Sequence, residues 1–339
     1  MLEPRAVEMT KLPSVFLKND LSVYSISLYH LQFQPLSRSF AAPKKASFLS
    51  IFMTKKAIYA VIICAIIAGT NGILIKYMSS LSTGTMGWFR AIVPLLFVLP
   101  SLYKKSELNL SGNYKTLLLA SLINAGRMYL YLIAFTYTSI GNAVVLFYTY
   151  PLFVAAIESV YLKQPIPRKQ LGFLFVAFAG IIVTYAGKPF SFQSDDFVGM
   201  IAAVGAAVGY AITVILFKTE AQNFSKNQLI FYQNIAGAIV FLPFLAGIGS
   251  AEIDQIGVGI IYGFVIGVGV FKFFFFGLKY LPAATATSLM YLEVVSAITL
   301  GYFVLDETLT VNMIIGGAMI VFGSFSISRL KRKESSKNE

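Results

Sequence analysis

From Ala57 onward the chain alternates long apolar runs with short polar breaks. Each run is roughly 20 residues, the length a helix needs to cross a bilayer's hydrocarbon core. The runs fall at 57–78, 84–102, 116–136, 142–162, 170–187, 197–217, 228–248, 256–278, 283–304 and 311–328. Barrel strands would instead show segments of about ten residues with alternating polarity. Lipid offers the backbone no hydrogen-bond partner, so the runs predict helices. The expected fold class is an all-α integral membrane protein with about ten transmembrane helices.

The breaks between runs orient them, because Lys and Arg collect on the cytoplasmic side. With ten spans, Lys55, Lys56, Lys104, Lys105, Lys115, Lys163, Arg168, Lys169, Lys218, Lys226 and Lys279 share one face with the tail residues Arg329, Lys331, Arg332, Lys333 and Lys337. Lys188 stands alone on the other. An odd span count would put the tail cluster outside, so both termini are expected in the cytoplasm of a cell with this protein in its inner membrane. Met1–Phe52 reads differently: it is polar-mixed, holds Pro4, Pro13, Pro35 and Pro43, and lacks a signal-peptide pattern. It is expected to be a poorly ordered, functionally silent extension, with Met53 opening the functional chain. Residues 331–339 read as a basic cytoplasmic tail.

Composition agrees with a lipid solvent. Hydrophobic residues make up 57% of the chain and charged ones 12%, with a mean hydropathy of +0.74; a soluble domain carries roughly 25% charged residues. The net charge of +12 is spread between apolar blocks rather than gathered on one face, which argues against nucleic acid as a partner. One cysteine, Cys64, and one histidine, His30, leave no disulfide framework and no metal site, so no cofactor is expected.

The fourth and ninth runs resemble each other. A shift of 143 residues aligns Tyr137 with Tyr280 and Tyr148 with Tyr291, dividing ten spans into five and five at 53–188 and 189–330. Five is odd, so the second set enters the membrane with the opposite orientation. Inverted repeats of this kind place a substrate site near the midplane and permit alternating access.

These residues resemble the EamA-like members of the drug/metabolite transporter superfamily from about Lys55 to Arg329. Gly69-Thr70-Asn71 followed by Lys76 is similar to the family's "WGsn…K" opening, although Ala68 replaces the Trp. Arg90, the passage Tyr137-Thr138-Ser139 to Asn142 and Pro151, and Leu292-Glu293 with Asp306-Glu307 and Gly316 resemble its other signatures. Val294 stands in place of the usual Pro, and Lys163 or Gln164 where a Glu is expected. The resemblance implies a ten-helix carrier, often an exporter of amino acids or related metabolites.

Charges inside the hydrocarbon are costly, about 2.5–3.5 kcal/mol each on insertion scales, so each asks for a reason. Arg127 and Glu293 lie near the middle of the third and ninth spans. Either they join an ion pair that staples helices, or Arg127 takes a carboxylate or phosphate and Glu293 an ammonium or a proton. Arg90 and Lys272 sit nearer the span ends, where snorkelling competes with a place along an anion's path. Glu158 and Lys76 read as snorkelling residues, and Asp306 and Glu307 as a solvated turn or cap. Asn71, Tyr148, Gln233, Asn234, Tyr291 and Trp88 are further cavity candidates, while Gly259, Gly263 and Gly267 read as a packing stripe.

The pattern therefore predicts a secondary active transporter, with no ATP-binding GxxxxGK[ST] loop. The favoured cargo is a small amino-acid-like or carboxylated metabolite, since Arg90, Arg127 and Lys272 outnumber the one central acid; movement outward is what the family resemblance implies. A nucleotide sugar or other nucleotide-linked metabolite is the alternative. A cationic-drug exporter or an intramembrane enzyme fits less well, because no span carries an Asp or His. The expected partners are the small-molecule substrate, the lipid bilayer and a proton or exchanged solute, in a monomer or homodimer.

Overall fold

A computed structural model describes residues 44–108, 112–186, 194–250 and 252–337, and every regular element among them is helical. The elements are α1 (Lys44–Ala68), α2 (Asn71–Lys76), α3 (Thr83–Lys104), α4 (Tyr114–Tyr137), α5 (Ile140–Phe147), α6 (Tyr150–Tyr161), α7 (Arg168–Thr184), α8 (Ser194–Glu220) and α9 (Lys226–Val240). They continue with α10 (Ile253–Tyr262), a π-helical stretch Gly263–Val270, α11 (Phe271–Tyr280), α12 (Ala283–Leu289), α13 (Leu292–Leu305) and α14 (Val311–Lys337). Eight stretches are long and apolar enough to cross a membrane. The two other expected spans are shorter: α7 has 17 residues, and α9 has 15 before it tightens into a 3₁₀ segment, Leu242–Ser250. Pro243 explains that change, since it has no N–H to give an α-helical ladder. The molecule is an all-α membrane protein of about ten helices.

One boundary differs from the sequence reading. The first helix begins at Lys44, ahead of Met53, so residues 44–52 continue α1 rather than lie outside it. Lys44 and Lys45 open the helix ahead of Phe48, Leu49, Ile51 and Phe52, an apolar run short of a span but compatible with a helical turn. The expectation for residues 1–43 lies outside the described residues.

The loops sort into two ends, as alternating spans require. At one end Asn113 donates to Glu220 at 2.7 Å, Ser225 donates to Glu107 at 2.7 Å and Gln222 donates to the Lys279 carbonyl at 2.5 Å. At the other, Ser80 donates its N–H to Gln255 at 2.9 Å and Asn312 donates to the Ala186 carbonyl at 2.9 Å. The first set of loops carries Lys104, Lys105, Lys218, Lys226 and Lys279 and is called here the basic end.

The 143-residue register reappears as geometry. Ser82 and Ser225 cap α3 and α9 in the same way, each accepting the N–H three residues on. Lys163 and Asp306, also 143 apart, both adopt the left-handed conformation with φ of 52° where α6 and α13 end. The fourth span is broken at Tyr148-Thr149 and the ninth at Met290-Tyr291. Pro151 accounts for the first break. The second occurs with Val294 in the corresponding place, through tight turns in which Met290, Tyr291, Glu293 and Val294 each donate three residues back.

Small residues set the helix spacing. A Cβ on Gly259, Gly263 or Gly267 would overlap Phe89, Val93 or Pro94 of α3, so this face of the eighth span is a packing surface.

Candidate functional site

The two broken spans bring their breaks together. The Tyr291 hydroxyl donates to the Tyr148 carbonyl at 2.9 Å, and their rings lie 6.2 Å apart. Two residues related by the repeat touch each other only where the repeat's twofold axis passes. The axis therefore runs through this contact, mid-span in both helices. Discontinuous helices meeting at mid-depth are where inverted-repeat carriers hold their cargo.

Around this point the side chains are polar and aromatic. Glu293 occupies the first turn of α13, directly after the break, where the positive pole of the half-helix dipole favours an anion. Tyr148 and Arg90 are both neighbours of its carboxylate. Arg127 is buried on α4; its Nε donates to the Asn124 side chain at 2.9 Å, and Asn124 donates to the Gln233 carbonyl at 3.0 Å. Its guanidinium stacks on the Tyr210 ring at 4.3 Å. Gly209 permits that stacking, since a Cβ there would meet the Arg127 Cβ at 2.8 Å. Tyr131, Phe147, Tyr148, Tyr150 and Tyr210 form a continuous aromatic wall with centroids 4.7–6.1 Å apart. Tyr131, Tyr148, Tyr210, Arg90 and Glu293 keep partial exposure deep within the bundle, which marks a chamber rather than a sealed core.

The chamber's charges are not spent on each other. Among the described residues Arg127, Arg90 and Glu293 form no ion pair. The terminal nitrogens of Arg127 have no protein partner and are not among the sealed polar atoms. Arg90 gives one nitrogen to the Met128 sulfur at 3.4 Å, and its Nε is buried without a partner, as are Gln233 Oε1 and Trp88 Nε1. Arg90 and Gln233 are again 143 apart.

The sequence candidates divide accordingly. Arg127, Glu293, Arg90, Tyr148 and Tyr291 come together, with Gln233 tied in through Asn124. Asn234 is buried but donates to the Ile230 carbonyl of its own helix at 2.8 Å, a local satisfaction. Trp88 is half-buried on α3 with its ring against Phe89. Asn71 begins α2, which packs on α10 and α13 nearer the end opposite the basic loops. Lys272 is exposed, with its ammonium over the Phe97 ring at 5.4 Å in a groove shared with Lys104 and Lys105; the structure does not bring it to the chamber. Glu158 differs outright from its expected snorkelling role, being 1% exposed and bonded to backbone N–H groups of α12. Sequence reasoning missed Tyr131, Tyr150 and Tyr210; the Gly205/Gly209 spacing beside Tyr210 was the one available signal, because it brings α8 against α4. Among the described residues no group of His, Cys, Asp or Glu is placed to hold a metal ion.

Residues 55–186 match the EamA-like transporter family, and residues 197–329 match it a second time. The chain belongs to that family. It is a multi-pass membrane transporter of the drug/metabolite transporter superfamily, built from two EamA repeats. An uncharacterized transporter of Archaeoglobus fulgidus is 27% identical over 78% of this chain and 93% of its own length. A protein of Rickettsia conorii named as an S-adenosylmethionine uptake transporter is 26% identical over 75% of this chain and 86% of its own. A solved crystal structure matches with a TM-score of 0.71 at 14% identity, covering 81% of this chain and 98% of that one, which shows likeness of fold.

Proposed function

We propose that this EamA protein is a secondary active transporter that carries a small amino-acid-like metabolite by alternating access, with the chamber around Arg127 and Glu293 as its site. The observation that carries the reading is the free guanidinium edge of Arg127 in the same chamber as an unpaired carboxylate. A zwitterion answers both: its carboxylate meets the planar fork of Arg127, and its ammonium meets Glu293. Arg90 and Gln233 supply buried donors and acceptors for the rest of the molecule, and leaving such groups unmatched costs about 1–3 kcal/mol each. The aromatic wall supports a cargo with a planar or cationic extension. S-adenosylmethionine has that form, an amino-acid end joined through a sulfonium to a nucleoside, and the Rickettsia relative makes it the first solute to try.

A nucleotide-linked metabolite is the second reading, favoured by the same tyrosines as a stacking surface and by two arginines for phosphate. Glu293, next to the break before α13, argues for the zwitterion. In this reading the protein sits in the cell membrane with its basic end and both termini cytoplasmic, works as a monomer or homodimer, draws on a proton gradient or solute exchange, and does no covalent chemistry.

The test is uptake and release by proteoliposomes loaded with S-adenosylmethionine, amino acids, carboxylates or nucleotide sugars. Saturable flux of an amino-acid-like solute is expected, and Arg127→Ala should reduce it about 100-fold or more, the loss of a buried charge-assisted contact, while the protein still inserts. Flux confined to nucleotide sugars selects the second reading. Full flux in Arg127→Ala removes that arginine from the site.

A further inference from the structure

Glu158 lies outside the chamber, near the end of α6, in the first repeat. Its two carboxylate oxygens accept the backbone N–H groups of Ala283 at 2.6 Å and Ala284 at 2.7 Å. These are the first two residues of α12, the half-helix of the opposite repeat, whose leading N–H groups have no partner within the helix and form the positive pole of its dipole. A carboxylate bonded to both is a strong, charge-assisted contact. The same turn is held from its other side: Lys218 of α8 donates to the Leu278 and Leu281 carbonyls at 2.6 and 2.7 Å, where α11 ends. An anion thus holds the start of α12, and a cation the end of α11, both at the basic end. A cleft of about 290 Å³ lined by Glu158, Lys163, Gln164, Gln170, Pro282 and Lys331 leads to this contact.

The other end of the molecule holds the counterpart. Residue 301, which is 143 beyond Glu158, is glycine, and a Cβ there would run into the Glu307 carboxylate at 2.6 Å. Glu307 therefore puts its carboxylate where Glu158 starts its own, one repeat on. Its partner position in the first repeat is Gln164, which is neutral. By the same register Glu307 would cap α5 as Glu158 caps α12. Yet Glu307 is exposed, and among the described residues its side chain makes no hydrogen bond to the start of α5. One carboxylate is engaged across the repeats and its counterpart is free.

We propose that Glu158 is a positioning residue for transport: its bonds to Ala283 and Ala284 are the latch that closes the path at the basic end, and Glu307 is the latch of the opposite end, here released. The chain as described is shut toward the basic loops. The idea rests on the alternating-access reading, but its test needs no cargo. Thr285 and Asn142 are 143 apart, the third residue of α12 and of α5, and both are buried. Single cysteines at these two positions, in a Cys64→Ala background of the full chain in liposomes, report each mouth to a membrane-impermeant thiol reagent.

Glu158→Gln replaces one acceptor with an amide donor facing an N–H and should speed labelling of Thr285→Cys from the basic side about tenfold or more, the scale of one lost hydrogen bond to a charged group. The same change should slow labelling of Asn142→Cys from the other side. Ala283→Pro removes one donor from the opposite partner at a position where proline suits a helix's first turn and Pro282 already has the extended backbone a following proline requires. It should give the same two shifts, and Glu158→Asp should reverse them in part. A general loosening of the fold would speed both reporters together, and that result, or unchanged rates in both variants, overturns the latch. Opposed shifts without flux of an amino-acid-like solute keep the latch and refute the proposed cargo instead.

Discussion

At the scale of single residues, the chamber separates charges that a sequence shows only as costly. Arg127 and Glu293 are visible as mid-span charges in the chain, and the cost of burying them already asks for a purpose. Whether they neutralise each other depends on helix rotation and on the break before Glu293, which composition does not carry. In the fold Arg127 is oriented by Asn124 and Tyr210, while Glu293 sits at the start of its half-helix beside Tyr148, so neither is held by the other. Glu293→Gln keeps the shape and removes the proton-binding group. If Glu293 carries a proton through the cycle, transport measured from about pH 5 to 8 should lose its pH dependence in this variant; an unaltered profile assigns Glu293 to ammonium recognition alone. Glu158 marks the limit of sequence reading at this scale. An acid one turn from a span end looks like a snorkelling residue until the partner 125 positions away is known.

At the scale of elements, helix existence was legible throughout and helix continuity was not. Pro151 accounts for the break in the fourth span only once the structure shows it. The ninth span breaks at the same relative place with Val294 there, because the surrounding fold holds the tight turns that proline would otherwise impose. The glycine stripe of the eighth span was readable as packing, and its partner helix was not. Gly263→Val tests the tightness of that contact: the new side chain would overlap the Phe89 carbonyl and Val93. Overpacking of this kind costs about 1–3 kcal/mol, so the melting temperature in detergent should fall by several degrees. Gly257→Ala, on α10 of the same span, is the control at a site where a Cβ meets nothing within 4 Å, and it should melt as the parent does.

At the scale of the whole molecule, charge asymmetry and the 143-residue register carried the architecture. The loops that the basic count assigns to one side are joined by hydrogen bonds to one another, and those assigned to the other side are likewise joined. Which compartment each end faces is a matter of the lysine bias. A cysteine replacing Ser106, at the basic end, should be shielded from an impermeant reagent in intact cells and labelled after lysis, while one replacing Asn312 should react in both. Reaction of Ser106→Cys in intact cells would reverse the proposed orientation. The lateral position of Lys272, outside the chamber and beside Lys104 and Lys105, belongs to this scale as well, since only the assembled bundle separates it from Arg127.

The handshake between Tyr291 and Tyr148 is lopsided: one gives a proton bridge and the other receives it. In a molecule whose halves match one family, nothing in the blueprint makes that assignment permanent. Under the alternating-access reading proposed above, trading places between the halves would give an arrangement in which Tyr148 gives and Tyr291 receives, so the second resting shape which that reading requires can be drafted from the first by renaming each residue as its twin.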